Sequence, residues 1–278
     1  MHLCAQKLKK EIDMEQNEII RERVRKDYGA IASAGEKSCG CGCGSTGLDA
    51  TEMSRLAGYS DREMNTVPDG ANLGLGCGSP SALAGIRPGE TVVDLGAGAG
   101  FDCFLAAGKV GPEGRVIGVD MTPEMVSRAR RNKEKVKAEN VSFRLGEIEH
   151  LPVGDNTADL IISNCVINLS PEKRSVFKEA FRILKPGGRI AFSDIIALKP
   201  LPGKIADDLA MISACVGGAA TVAETEMLLA SAGFHRIKIS TRKISQDAAD
   251  AILPESGIER YVAPADITAV KEADKCTE

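Results

Sequence analysis

Between Thr91 and Asp194 the chain alternates short apolar runs with longer stretches in which apolar residues recur every three or four positions. The runs predict strands at Thr91–Leu95, Arg115–Val119, Val141–Leu145, Asp159–Ser163 and Arg189–Asp194, and the periodic stretches predict helices over Phe101–Lys109, Pro123–Ala138 and Pro171–Leu184. Boundary residues agree. Thr122 stands as N-cap before Pro123 at the first helical position, Ser170 stands before Pro171, and Lys185-Pro186-Gly187-Gly188 ends the third helix. The unbroken apolar stretch within Asp159–Ser163 suits a strand covered on both faces. Strands and helices in strict alternation predict a parallel sheet with right-handed crossovers.

The flanks are less regular. A charged, periodic stretch from Leu8 to Tyr28 predicts an amphipathic helix, and Gly35–Thr46, rich in Gly, Ser and Cys, predicts a loop. Turn formers crowd Tyr59–Pro80, which reads as a lid. Past Lys199, Pro200–Gly203 predicts a turn, Ala206–Cys215 and Thr225–Ala232 predict helices, and Phe234–Ser240 and Ile258–Ala263 predict strands. One domain with elaborations is expected: an N-terminal helix and lid over 1–70, a ligand-binding core over 71–200, and a substrate-site region over 201–278 that completes the sheet.

Composition narrows the function classes. Of 278 residues 43% are apolar, enough for a full core, and the net charge of −4 argues against a general nucleic-acid binder. No apolar run approaches the roughly 18 residues of a membrane span, and the charged N-terminus lacks a signal-peptide core. The expectation is a soluble, cytoplasmic, monomeric protein with no membrane or nucleic-acid partner. Nine cysteines in such a chain suggest metal or redox chemistry rather than structural disulfides. With no tryptophan and 4% aromatics, stacking platforms are sparse.

The richest local signal is Val92-Val93-Asp94-Leu95-Gly96-Ala97-Gly98-Ala99-Gly100-Phe101-Asp102. A buried strand turns here into a helix through bare backbone, at the place where doubly wound sheets bind ligands. A dinucleotide fingerprint would space its glycines G-x-G-x-x-G; this chain has G-x-G-x-G. Asp120 ends the next strand, near the usual distance for an acid that takes ribose hydroxyls. The plain alternative is a tight turn followed by a surface acid. The motif resembles that of class I S-adenosylmethionine-dependent methyltransferases. The resemblance implies a Rossmann-like α/β fold with a mostly parallel seven-stranded sheet, helices on both faces, and S-adenosyl-L-methionine as cofactor. It places Asp94, Gly96, Gly98 and Gly100 at the amino-acid end, Asp120 on the ribose, Met121 and Ile148 beside the adenine, Glu147 on its amino group, and Asn164 at the sulfonium end. Taken alone, Glu147 is a loop acid that solvent could equally well cover. His150 reads as a surface loop residue.

Three further segments carry a more specific likeness. Asn72-Leu73-Gly74-Leu75-Gly76-Cys77-Gly78-Ser79-Pro80, Ser163-Asn164-Cys165-Val166-Ile167-Asn168-Leu169-Ser170 and Cys215-Val216-Gly217-Gly218-Ala219 resemble signatures of arsenite S-adenosylmethionine methyltransferases. Val67-Pro68-Asp69-Gly70-Ala71 and Gly118-Val119-Asp120-Met121-Thr122-Pro123-Glu124-Met125 fit as well, so the likeness runs from about Tyr28 to Phe234. It implies that Cys77, Cys165 and Cys215 hold trivalent arsenic, with Cys77 carried on a movable lid. The chemistry is consistent, because thiolates are the soft protein ligands. Three sulfurs around arsenic leave a lone pair at the apex that can attack a sulfonium methyl without a general base. Each cysteine alone could instead be an inert buried thiol, and zinc would normally want a fourth ligand.

The resemblance further implies arsenite or its thiol conjugates as substrate, methylated arsenicals as products, and a glutathione-like or thioredoxin-type reductant. Longer family members continue into a further C-terminal domain that this chain is expected to lack, which bears on product range. Cys39-Gly40-Cys41-Gly42-Cys43 suits either soft-metal capture or a plain glycine-rich loop. Cys103 is expected in the core, and Cys4 and Cys276 have no expected role. Two competitors stay open: another small-molecule methyltransferase of the same fold, which needs no cysteines, and a non-enzymatic thiol-based arsenic or metal binder, which needs no cofactor pocket.

Overall fold

The computed structural model describes residues 2–34, 49–243 and 258–273, with side chains from Met14 onward. The Gly35–Thr46 loop, with Cys39, Cys41 and Cys43, lies outside the described residues, as do Cys276 and the side chain of Cys4.

Five parallel-paired strands form the body of the sheet: β1 (Thr91–Leu95), β2 (Arg115–Asp120), β3 (Val141–Leu145), β4 (Ala158–Asn164) and β5 (Leu184–Ala197). Two more, β6 (His235–Thr241) and β7 (Val262–Val270), add an antiparallel edge, giving the order β3-β2-β1-β4-β5-β7-β6. The order reverses between β1 and β4, so the crevice above their C-terminal ends is the switch point where ligands bind in such sheets. The expected seven-stranded, mostly parallel α/β architecture is what the chain adopts.

Helices cover both faces. Helix α1 (His2–Ser33) crosses the top and packs on α6 (Pro123–Val136), while the short α2 (Ala50–Ala57), α3 (Asp61–Met64) and α4 (Pro80–Leu83) lead into β1. Helices α5 (Phe101–Val110) and α7 (Lys173–Ile183) follow β1 and β4. Short α8 (Gly203–Ala206) and α9 (Leu209–Ser213) and the longer α10 (Val222–Ala232) fill the segment between β5 and β6. One apolar layer joins Val93, Ile161, Phe177, Ile190 and Leu229, and the other joins Val92, Phe104, Val126, Leu160 and Ile162. Neighbouring strand residues point to opposite faces, so β1, β2, β4 and β5 feed both layers.

Several boundaries differ from the sequence reading. The helix expected over Ala206–Cys215 is broken, because Asp208 caps a fresh start at α9 by accepting from Ala210 N at 2.7 Å and Met211 N at 3.1 Å. Ser170 ends a 3-10 turn at Ile167–Leu169, and its hydroxyl accepts from Glu172 N at 3.0 Å; α7 then begins at Lys173 rather than Pro171. The last strand starts four residues later than expected, after a 3-10 turn at Ile258–Arg260, and pairs along the whole of Arg189–Ala197. The first helix is longer than Leu8–Tyr28, and the lid segment contains α3 before it becomes irregular.

Gly100 illustrates how tightly the first βα turn is packed. Its φ is +95°, and an added Cβ would lie 2.7 Å from Phe143 Cζ and 2.8 Å from Phe104 Cε2. Gly100→Ala should therefore lower the unfolding free energy by about 2–4 kcal/mol. Urea denaturation checks this, and an unchanged midpoint would refute the packing argument.

Candidate functional site

A cavity opens above the C-terminal ends of β1, β2 and β4. Its floor is the turn after β1, where Gly96 N and Ala97 N both donate to Val119 O, at 2.8 and 3.0 Å, and Gly98 N donates to Asp120 Oδ2 at 2.9 Å. Positive φ values at Gly96, Gly98 and Gly100 make this path possible. Asp120 also accepts from Thr122 N at 2.8 Å through its other oxygen, so the acid is fixed at the cavity wall. Burial pushes the Asp120 carboxyl up, and these two N–H bonds oppose the shift. Met121 and Ile148 add apolar wall.

Next to this turn the cavity has an acidic end. Tyr59 Oη lies 2.8 Å from both oxygens of Asp102 and donates to that carboxylate, and Asn164 Nδ2 donates to Tyr59 Oη at 2.8 Å. Asp94 lies buried beside them and accepts from Cys103 Sγ at 3.2 Å. Burial, then the neighbouring Asp102 charge, drives the Asp94 carboxyl upward. Burial pushes Asp102 up to about 6, with the Tyr59 and Asn164 hydrogen bonds restraining it.

The thiol cluster sits beside this acidic end. Cys165 follows β4 with φ +55°, donates its N–H to Ser193 O at 2.8 Å, and lines the cavity. Cys77 is disulfide-bonded to it, with their Cα atoms 5.9 Å apart. Cys215, after α9 with φ +62°, donates its Sγ–H to Cys165 O at 2.8 Å. The buried Asp194 carboxylate lies with the Cys77 and Cys165 sulfurs inside a 4.8 Å group, the one cluster with metal-ligand spacing among the described residues. Burial and then the Asp194 charge push the Cys215 thiol up, while a hydrogen bond from Tyr28 and the charge of Lys173 oppose that shift. Asp194 is itself pushed up to about 7 by burial, against N–H bonds from Ile195 and Asn168.

Helix α1 closes the cavity through Arg21, Val24 and Tyr28. Arg21 pairs with Glu172 and lies 3.8 Å from both Glu147 and Glu149.

The cysteine triad expected from the sequence is thus gathered in one place, with two of the thiols joined as a disulfide. Asp94, Gly96, Gly98, Asp120, Met121, Ile148 and Asn164 all line the cavity. Two expected residues do not. The Glu147 side chain turns to Arg25, 3.1 Å away, because α1 presents two arginines there; Glu149 lines the wall in its place. Gly100 caps α5 and packs on phenylalanines. Cys103 is fully buried and His150 exposed, as expected. Sequence reasoning missed Tyr59, Asp102, Asp194 and the wall from α1. Asp102 stood in the glycine motif and Asp194 at a strand end, but nothing local distinguished a cavity acid from a surface one.

The wall chemistry decides which nucleotide-like ligand fits. Among the lining residues Arg21 is the only base, and it is paired with glutamates, so nothing awaits a pyrophosphate. Bare backbone, one ribose-type acid, apolar ring contacts and a cluster of carboxylates suit a ligand with a nucleoside at one end and positive charge at the other.

Comparison with known proteins agrees. A family model described as a methyltransferase domain matches residues 86–242. An arsenite methyltransferase from Halobacterium salinarum is 48% identical over 265 residues, covering 92% of this chain and 68% of its own. One from Aquipseudomonas alcaligenes is 44% identical over 168 residues, covering 57% of this chain and 47% of its own. The crystal structure of CrArsM, an arsenic(III) S-adenosylmethionine methyltransferase from Chlamydomonas reinhardtii, superposes with a TM-score of 0.59 at 33% identity, over 79% of this chain and 72% of that one. The chain thus spans about two thirds of the first relative and about half of the second.

Asp194 offers a test of the site's electrostatics. Its raised pKa means that the fold favours the neutral acid, a contribution fully present below the ordinary carboxylate range and lost as pH rises through about 7. Asp194→Asn cannot ionise. Between pH 4 and pH 8 the stability difference should move in the variant's favour by up to about 4 kcal/mol. Chemical denaturation at several pH values reads this, and a difference independent of pH would contradict it.

Proposed function

The chain belongs to the arsenite methyltransferase family, and on that premise we propose that it moves a methyl group from S-adenosyl-L-methionine to trivalent arsenic held by Cys77, Cys165 and Cys215. The observation that carries the reading is the position of Cys165. It lines the cofactor cavity while touching both other cysteines, one through its sulfur and one through its carbonyl.

Asp120 takes the ribose hydroxyls, the backbone of Gly96 and Gly98 lies along the amino-acid part, and Met121 and Ile148 flank the adenine. The cavity geometry favours these contacts over one from the Glu147 side chain. Asp94 and Asp102 face the cationic end. When bound, S-adenosyl-L-methionine supplies an electrophilic methyl carbon, which the arsenic lone pair takes as its sulfur leaves as a thioether.

The protein's own task is placement. Three thiolates hold arsenic as a trigonal pyramid and direct its lone pair into the cavity that Cys165 lines. Alignment of this kind can supply ~7–11 kcal/mol of the barrier. The apolar setting of the cluster, with Val24, Leu169, Ile195 and Val216 around Cys165 and Cys215, keeps water from competing for arsenic. The disulfide must open first. Two small thiols, or one dithiol, give up two electrons and two protons to Cys77 and Cys165 and become a disulfide themselves. Arsenite or its thiol conjugate then exchanges onto the three cysteines. A glutathione-like or thioredoxin-type reductant in the cytoplasm fits this need, and a monomer contains every residue named. Among the described residues no helix is long and apolar enough to cross a membrane.

Two variants separate the halves of the site. Cys165→Ser should abolish arsenite methylation while leaving cofactor affinity within about twofold, since the cofactor contacts proposed here involve other residues. Asp120→Ala should weaken cofactor binding about tenfold or more through loss of a charged hydrogen-bond acceptor. Calorimetric titration with the cofactor and chromatographic separation of arsenic species read the two outcomes. Full methylation by Cys165→Ser would overturn the reading.

A further inference from the structure

Cys77 lies in a stretch without regular secondary structure, and glycines stand at 74, 76 and 78. Such backbone is free unless something ties it. The sequence left this lid segment either ordered or mobile; in the structure it is gripped from two sides.

On one side is Asn164, at the end of β4. Its Oδ1 accepts from Cys77 N at 3.0 Å and from Gly78 N at 3.3 Å, and its Nδ2 donates to Gly78 O at 2.8 Å. On the other side is Arg242, just past β6, whose Nη2 donates to Cys77 O at 2.9 Å. All four backbone polar groups of Cys77 and Gly78 are therefore bonded to side chains from distant parts of the chain. The guanidinium is itself held. Asp266 on β7 lies 3.3 Å from Arg242 Nε and 3.4 Å from Nη2, and Ser193 on β5 donates to Asp266 at 2.7 Å.

The glycines fit this grip. A Cβ at Gly76 would lie 2.5 Å from Asn164 Nδ2, and one at Gly78 would lie 2.4 Å from Ser193 Cβ and 2.7 Å from Arg242 Nη2. Here glycine lets the two side chains close on the backbone. The residue's function is close approach more than flexibility.

We infer that Arg242, opposed by Asn164, is a positioning residue that fixes the Cys77 thiol where trivalent arsenic is bound. The inference rests on the proposed function for its substrate, but the grip is a property of the loop. It matters most in the reduced enzyme. With the Cys77–Cys165 bond open, the Asn164 and Arg242 contacts are, among the described residues, the hydrogen bonds that hold the Cys77 backbone near its partners. A displacement of about 1 Å in such a site can cost a hundredfold in rate. The antiparallel edge of the sheet, far from the cofactor loop in sequence, thereby becomes part of the substrate site.

The test uses the full chain, reduced with a phosphine, as wild type, Arg242→Gln and Arg242→Lys. It reads cofactor affinity, melting temperature, KM for arsenite, and the rate at which iodoacetamide alkylates Cys77 and Cys165, resolved by peptide mass spectrometry without arsenic. Arg242→Gln should raise the arsenite KM about tenfold, as expected for loss of a charged hydrogen bond. It should also speed alkylation of Cys77 several-fold, leaving Cys165 alkylation and cofactor affinity unchanged. Arg242→Lys, which can still donate to Cys77 O, should recover most of both effects. If Arg242→Gln folds poorly, Asp266→Asn loosens the same guanidinium and should shift both readouts the same way. Unchanged Cys77 alkylation in a folded Arg242→Gln would overturn the inference, as would a loss of cofactor affinity and melting temperature in both Arg242→Gln and Asp266→Asn. Because alkylation is read without arsenic, absence of arsenite methylation by the wild type would count against the proposed function alone.

Discussion

Three buried carboxylates and a half-buried fourth govern the upper edge of this sheet. Asp94 stands one residue before the end of β1, the half-buried Asp120 ends β2, Asp102 lies in the first turn of α5, and Asp194 lies within β5. Removing an ionised carboxylate from water is costly unless hydrogen bonds or opposite charge replace the lost hydration. Each acid is therefore surrounded by donors: Cys103 for Asp94, Tyr59 and Asn164 for Asp102, Gly98 N and Thr122 N for Asp120, and Ile195 N with Asn168 for Asp194. The donors come from the glycine turn, the lid, α5, β5, the loop after β2, and the end of β4 with the turn that follows it. Meeting the needs of the acids thus brings the functional segments together. The compensation falls short of full, which is why all four carboxyls are shifted upward. A ligand with a cationic end adds the missing charge at Asp94 and Asp102.

Asn164 joins the two halves of the site. Its amide reaches Tyr59 and Asp102 at the cofactor end and the Cys77-Gly78 backbone at the thiol end. One side chain therefore ties the acidic wall of the cavity to the backbone that carries the Cys77 sulfur. Cys165, the next residue, is held by Ser193 O in the adjoining strand, so its sulfur inherits the rigidity of the β4–β5 pair.

What the sequence reveals about this protein divides along physical lines. The strands from β1 to β5 were legible because burial on both faces forces continuous apolar runs, and α6 because Thr122 and Pro123 mark its start. The glycine turn and Asp120 were legible because bare backbone and an acid at fixed spacing have few other uses. The break between α8 and α9 was hidden, since the Asp208 cap competes with a helical pattern only in three dimensions. The extent of β7 was hidden too, because its register comes from β5. In the site, the three cysteines were legible through family likeness. Tyr59, Asp102, Asp194 and Arg242 were not, because their roles depend on partners 26 to 165 residues away. Glu147 shows the same limit. Its place in the sequence suited the adenine, but arginines from α1 claim it.

The proposed reaction requires three thiolates to meet at one arsenic atom beside the cofactor cavity. X-ray absorption at the arsenic edge, on the reduced full chain loaded with one equivalent of arsenite, tests this most directly. Three sulfur neighbours and no oxygen are expected, falling to two sulfurs and one oxygen in Cys215→Ser. Arsenic with fewer than three sulfurs in the wild type, or an unchanged sulfur shell in Cys215→Ser, would contradict the central claim.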